Sequence, residues 1–246
     1  MMLIHFMTLF PEMFTGPFSY SIIKRARERG LATLEMINFR DYARDRHSTV
    51  DDTPYGGGPG MVLKPEPIFE AVEDLQKRTG SKPYIILTTP QGETFSQETA
   101  SELSKKPHLL FICGHYEGFD ERIRVLADRE LSIGDYVLTG GELPAMVMAE
   151  AIIRLLPGVL GDPEAADNDS FCDRILEYPQ YTKPPVFRGM SVPEILLSGD
   201  HGKISVWRRK QALLRTARSR PDLLANLELT PEEQEFLKNK GIDVIG

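Results

Sequence analysis

The sequence predicts an α/β domain on a mostly parallel sheet with helices on both faces, followed by a small helical domain. Three observations lead there. Apolar runs of strand length alternate with helical patterns through the first 160 residues, an order that favours parallel strands joined by crossover helices. Three of these runs stop abruptly at Pro90, Gly114 and Gly134, as buried strands do when they end in tight loops. Beyond 161–168, a stretch of Asp, Glu, Ala, Pro and Gly without apolar pattern, the chain is punctuated by prolines and then becomes mainly helical.

Residues 3 to 10 form the first expected strand. A helix is expected over 17–29, with Ile22, Ile23 and Ala26 on one face and Gly30 as its stop. Residues 31–39 read as the second strand. From 40 to 61 the chain is polar, charged and rich in glycine, and a loop of that length is usually functional or disordered. Its Gly56-Gly57-Gly58-Pro59-Gly60 run lacks the lysine of a phosphate-binding P-loop. Ile68, Ala71, Val72 and Leu75 then mark a helix over 67–78, ended by Gly80. Residues 84–89 form a strand broken by Pro90 and Gly92, and Ser96 caps the polar helix after it. Residues 109–113 and 131–133 are further strands. Pro144 fits the first turn of a helix reaching about Leu156. In the last third, 205–220 reads as a helix, and Thr230-Pro231-Glu232-Glu233 starts another.

The 246 residues suffice for a sizeable core, and the composition is that of a soluble globular protein. The first residues lack a basic start and a small-residue cleavage site, so no secretory signal is expected. The longest apolar run, 143–156, is too short for a membrane span and is interrupted by Glu150 and Arg154. Cys113 and Cys172 are too few for a disulfide framework and have no metal-ligand spacing around them, which points to a reducing, cytoplasmic setting. The net charge is −7, yet 201–221 carries Lys203, Arg208, Arg209, Lys210, Arg215, Arg218 and Arg220 with no acidic residue. That asymmetry suits a polyanion, held at its phosphates, although a solvated helix face would read the same way. Trp207 and Leu214, one heptad apart, are expected to pack together and leave the cations outward.

Chemistry concentrates in two runs, 113–118 and 132–144. Gly134, Gly140 and Gly141 flank Tyr136 and Leu138, so the loop offers bare N–H and C=O groups beside apolar side chains. Such a loop suits a flat heteroaromatic ligand; tight turning alone is the competing explanation. Ligands gather at the carboxyl ends of parallel strands, and three loops leaving one edge would form a single pocket. No Gly-x-Gly-x-x-Gly follows the first strand, which counts against a nicotinamide-dependent oxidoreductase.

The order of residues adds a resemblance. Gly-His-Tyr-Glu-Gly-Phe-Asp-Glu-Arg at 114–122 and Ser-Ile-Gly-Asp-Tyr-Val-Leu-Thr-Gly-Gly-Glu-Leu-Pro-Ala-Met at 132–146 closely resemble the bacterial tRNA (guanine-N1-)-methyltransferases of the TrmD type, within the knotted SPOUT methyltransferases. Arg46-His47 through Asp51-Asp52, the run 55–61, Pro157-Gly158-Val159-Leu160-Gly161, Asp169-Ser170-Phe171 and Tyr178-Pro179-Gln180-Tyr181-Thr182 follow the same pattern in the same order. The resemblance implies a trefoil knot late in the α/β domain. It implies a knotted cofactor-binding domain over 1–160, a linker over 161–172 and a helical tRNA-binding domain over 173–246.

It also implies S-adenosylmethionine as methyl donor, a tRNA anticodon arm as substrate, magnesium as a possible requirement, and a homodimer whose active sites are shared between subunits. The reaction implied is methylation of N1 of the guanosine 3′ to the anticodon, with Asp169 as general base and Arg154 stabilising charge on O6. The adenine would lie on the backbone of Ile133, Gly134, Asp135, Tyr136, Val137 and Leu138. Pro90, Gly114, Tyr116, Gly118, Gly140, Gly141 and Pro144 would complete that pocket. Glu117 would meet the guanine edge, Tyr55, Gly60 and Ser170 the rest of the substrate, and Arg208, Arg209, Lys210, Arg215 and Arg218 the RNA backbone. Three positions depart from the family pattern: Arg174 where glycine is usual, Glu177 where aspartate is, and Lys183 where arginine is. A knotted methyltransferase acting on another RNA, and an RNA-binding protein without catalysis, are the competing readings.

Overall fold

Five strands pair in parallel, in the spatial order Ala32–Asn38, Met2–Thr8, His108–Cys113, Tyr84–Thr94 and Arg129–Ser132. The structure is a computed structural model that describes residues 1–161, 169–225 and 227–242. The chain divides into two compact units, Met1–Pro163 and Glu164–Gly246. In the first, β1 is Met2–Thr8, α1 Ser21–Glu28, β2 Ala32–Asn38, β3 Asp51–Asp52, β4 Val62–Leu63 and α2 Pro65–Thr79. Then come β5 Tyr84–Thr94, α3 Gln97–Ser104, β6 His108–Cys113, β7 Arg129–Ser132 and α4 Glu142–Ile153.

The strands are buried on both faces because their alternate residues feed two separate cores. Ile4, Phe6, Leu109, Phe111 and Ile86 pack with α1, α3 and α4, whereas Met7, Leu110, Ile112, Ile85 and Leu87 pack with α2. Continuous apolar runs such as 109–113 follow from that double burial. The caps behave as their residue types require: Ser96 accepts the Thr99 N–H at 3.2 Å, and Gly80 closes α2 in the left-handed region at φ +64.

Several expectations needed revision. The helix expected over 17–29 is a 3-10 turn, Pro17–Ser19, followed by the shorter α1, because the backbone breaks at Ser21 with φ +54. The strand expected to stop at Pro90 continues to Thr94. Pairing with β6 ends at Thr88, so the proline's missing N–H removes no bond to that neighbour. Between Thr88 and Glu93, both opposite Leu131, four residues bulge out of the ladder. Gly92 is required there, since a Cβ would lie 2.5 Å from the carbonyl carbon of Glu130. The helix expected to reach Leu156 leaves α-geometry at Arg154, where the N–H groups of Leu155 and Leu156 reach back three residues to Ile152 and Ile153.

A relay centred on the buried His5 and His108 crosses the sheet. Ser81 Oγ lies 2.9 Å from His108 Nδ1, His108 Nε2 lies 2.9 Å from His5 Nδ1, and His5 Nε2 lies 3.2 Å from Glu35. With both imidazoles neutral, every link is satisfied: Ser81 donates to His108, His108 to His5 and His5 to Glu35. Burial pushes both below the ordinary histidine value of 6.5; Glu35 opposes this at His5, whereas His5 reinforces it at His108. The unfolded chain therefore takes up these protons first, and folding stability is lost as pH falls below about 6.5. Urea midpoints measured at about pH 8 and about pH 5.5 should show this loss, and it should shrink in a His108→Asn variant.

The second unit holds a β8–β9 hairpin, Val186–Phe187 with Met190–Ser191, then α5 His201–Ser219 and α6 Pro231–Lys238. The hairpin was not foreseen in the sequence. Its two-residue turn, Arg188-Gly189, has φ +52 and +78, the pattern of a type I′ turn, with arginine where asparagine is the usual signal. Ile175, Ala212, Leu213, Leu224 and Leu237 form a small core. Trp207 lies with its ring 6.5 Å from that of Tyr181, while the buried face of α5 is Ile204, Ala212, Leu213 and Thr216. Of the linker expected over 161–172, residues 162–168 lie outside the described residues.

Candidate active site

The parallel sheet delivers the ends of β5, β6 and β7 to one edge, and the loops leaving them enclose a cavity of about 350 Å³. The bulge after Thr88 contributes Thr89, Pro90 and Gln91, the β6 loop contributes Gly114 to Phe119, and the β7 loop contributes Ile133, then Tyr136 through Gly141, and Pro144. Of the residues expected around a cofactor, Pro90, Gly114, Tyr116, Gly118, Ile133, Tyr136, Val137, Leu138, Gly140, Gly141 and Pro144 meet here; Gly134 and Asp135 do not line the space.

Glycines let these loops pack backbone against backbone. A Cβ on Gly141 would lie 2.1 Å from Thr88 Oγ1 and 2.8 Å from the Gly114 nitrogen, and the Gly141 N–H donates to the Gly114 carbonyl at 2.8 Å. A Cβ on Gly140 would strike Glu142 Oε2 at 2.3 Å. Beneath them Glu142, 1% exposed at the start of α4, accepts the Thr8 hydroxyl at 2.7 Å. Desolvation, then the Glu142 charge, pushes the Cys113 thiol well above its ordinary value, so it is no nucleophile at neutral pH.

Polar groups remain for a ligand to meet. Among the described residues, the N–H groups of Val137, Leu138 and Thr139 find no backbone acceptor. Nδ1 of His115, packed edge-on to Tyr116 with ring centroids 4.7 Å apart, is buried without any hydrogen-bond partner. Tyr136, Val137 and Leu138 expose apolar surface beside these donors. Free main-chain donors next to flat apolar groups fit an adenosine-like moiety, and the volume lies within the usual range of ligand pockets.

Expected substrate residues are placed unevenly. Gly60 lies against Glu117, whose Oε1 would be 2.4 Å from a Cβ there, and the Glu117 N–H donates to the Met61 carbonyl at 3.0 Å. The loop 55–61 thus borders the cavity through Glu117, while Tyr55 is fully exposed outside it. Arg124 was missed in the sequence. It is a cavity-lining cation fixed by Glu121 at 2.9 Å, by Glu130 and by Gln91, and only the fold brings Gln91 to it.

Arg154 caps α4 half-buried, its N–H bonded to the Glu150 carbonyl at 3.1 Å. In the second unit Asp169 lines a hollow with Asp173, Glu177, Arg208 and Arg209, and the Ser170 hydroxyl accepts the Glu177 N–H at 3.1 Å. Arg174 has φ +59, a left-handed conformation that favours glycine. Arg174→Gly is expected to be neutral or to stabilise by up to about 1 kcal/mol, a gain that chemical denaturation would detect.

The cations of α5 are less free than composition implied. Arg209 pairs with Glu233 at 2.8 Å, Arg208 stacks over Tyr178, Lys210 lies over Phe236, and Arg215 donates to the Glu177 carbonyl at 3.2 Å. Arg218 is exposed.

Residues 2–226 match the family described as tRNA (Guanine-1)-methyltransferase TrmD. The chain belongs to this family. It is 60% identical over 234 residues to the tRNA (guanine-N(1)-)-methyltransferase of Moorella thermoacetica, covering 94% of each chain. It is 58% identical over 237 residues to the enzyme of that name from Halalkalibacterium halodurans, covering 96% of each. Among solved structures, the tRNA (m1G37) methyltransferase from Aquifex aeolicus superposes with a TM-score of 0.74 at 41% identity, covering 91% of this chain and 94% of the other. The family is one of methyltransferases, and the α/β fold matches that of a solved structure bearing such a name.

Proposed function

We propose that this chain transfers the methyl group of S-adenosylmethionine to N1 of the guanosine 3′ to the anticodon in tRNA. The observation that carries the reading is the cavity at the sheet edge, where free N–H groups of residues 137–139 and the orphan Nδ1 of His115 meet apolar Tyr136 and Leu138. S-adenosylmethionine supplies an already activated methyl group on a sulfonium. The chain's own residues position it and handle the proton. The Ile133–Leu138 loop, including Gly134 and Asp135 outside the cavity lining, would hold the adenosine, and Glu117 the guanine edge.

Methylation at N1 requires removal of the N1 proton, and negative charge moves to O6 as it leaves. In this reading Asp169 takes that proton, and the Arg154 guanidinium stabilises the charge at O6. The two belong to different subunits of a homodimer, so that each site draws its base from the partner chain. The second unit, following a linker over 161–172, would hold the anticodon arm through α5, and the trefoil knot and cytoplasmic setting belong to the same reading. Among the described residues no three His, Cys, Asp or Glu side chains cluster to hold a metal such as magnesium. Among them, too, no helix is long and apolar enough to cross a membrane.

The test is transfer of labelled methyl to two tRNA transcripts, one with guanosine beside the anticodon and one with adenosine there. Label on the first alone is expected; label on neither, from folded protein that binds S-adenosylmethionine, would overturn the proposal.

A further inference from the structure

The second unit contains its own cavity, of about 470 Å³, with an aliphatic floor of Val192, Leu196, Leu197 and Ile204. Lys183 and Arg208 are the charged residues lining it, both cations in a chain of net charge −7. Flat groups border it. Tyr181 is 49% exposed with its ring near Trp207, and the Arg208 guanidinium lies 4.8 Å over the Tyr178 ring. The β8–β9 hairpin rises from the rim, because Pro185 and Val192, joined by a 2.9 Å hydrogen bond at its base, both line the cavity. At the hairpin's tip Phe187 is 55% exposed, with the Arg188 guanidinium 5.3 Å over its ring and Arg188 itself in the left-handed region.

Exposed π-faces beside cations, over an apolar hollow without a carboxylate, complement one chemistry: a flat base on a negatively charged backbone. We propose that this cavity and the hairpin tip form a stacking site for an unpaired nucleobase of the RNA substrate, with Lys183 and Arg188 meeting its flanking phosphates. The inference rests on the proposed function and adds to it a contact outside the reacting guanosine.

Trp207 is the single tryptophan, so its emission reports binding in the full-length chain. The probe is a short RNA hairpin with an anticodon-type loop. Phe187→Ala and Tyr181→Ala are each expected to weaken binding about tenfold, with the salt dependence of affinity unchanged. R188Q should instead lower the slope of log affinity against log salt by about one. S-adenosylmethionine binding should be unaltered in all three. Parent-like RNA affinity in both aromatic variants would overturn the inference, as would a Phe187→Ala variant that changes oligomeric state at constant RNA affinity, which would assign the surface to a second copy of the chain. A parent chain that binds no RNA would instead defeat the proposed function.

Discussion

Asp169→Ala is expected to lower methyl transfer by roughly 10²- to 10⁴-fold, the usual contribution of a positioned general base, with S-adenosylmethionine binding retained. Retained binding is expected because Asp169 is not among the residues lining the loop cavity. Asp169 lies in the second unit, whereas every residue lining the loop cavity belongs to the first. Arg154→Ala should act in the same direction by removing the cation at O6. If the sites are shared across a homodimer, mixing the two inactive variants restores activity, because one site per mixed dimer then has an intact Arg154 and an intact Asp169. Single-turnover transfer with each variant and with the mixture measures both effects. Full activity in Asp169→Ala would remove it as the base, and no recovery in a mixture shown to exchange subunits would place both residues in one chain.

Gly141→Ala is the second substitution with a large expected effect. Its methyl group would lie 2.1 Å from Thr88 Oγ1, 2.8 Å from the Gly114 nitrogen and 2.9 Å from Cys113 Cα, and two of these neighbours are backbone. The chain must then separate the β7 loop from the β6 loop, which breaks the Gly141–Gly114 hydrogen bond and opens the cavity floor. Overpacking of this kind costs about 1–3 kcal/mol. S-adenosylmethionine affinity should fall by more than tenfold, because the displaced loop carries the free N–H groups of residues 137–139. Gly16→Ala is the control, since a Cβ there meets nothing within 4 Å, and it should change neither stability nor affinity. Calorimetric titration beside thermal unfolding separates the two effects, and parent-like affinity in Gly141→Ala would show that the loops need not approach this closely.

Much of the first unit was legible because its signals are local. Apolar runs of strand length ending in glycine gave β6 and β7, and caps such as Ser96 and Gly80 marked helix ends. The continuation of β5 past Pro90 was not legible, since it depends on β6 ending at Thr88 and leaving the proline's side of the strand unpaired. Glu142 and Arg124 were missed for a similar reason. A carboxylate beside Thr8 and a cation beside Gln91 meet only through contacts between residues far apart in sequence. The β8–β9 hairpin was hidden by its Arg-Gly turn, because arginine at positive φ carries no turn signature. The partners of the α5 cations were also illegible: composition counts charges, but only packing reveals that Arg208, Arg209 and Lys210 lie by Tyr178, Glu233 and Phe236, while Lys203, Arg208, Arg215 and Arg218 remain exposed.

The most direct test of the central claim is to identify the product. A tRNA transcript with guanosine 3′ to the anticodon would be incubated with the chain and S-adenosylmethionine, cut to oligonucleotides and nucleosides, and analysed by mass spectrometry. The account predicts 1-methylguanosine at that position and no other methylated nucleoside. A methyl group on another atom or another nucleotide would contradict it.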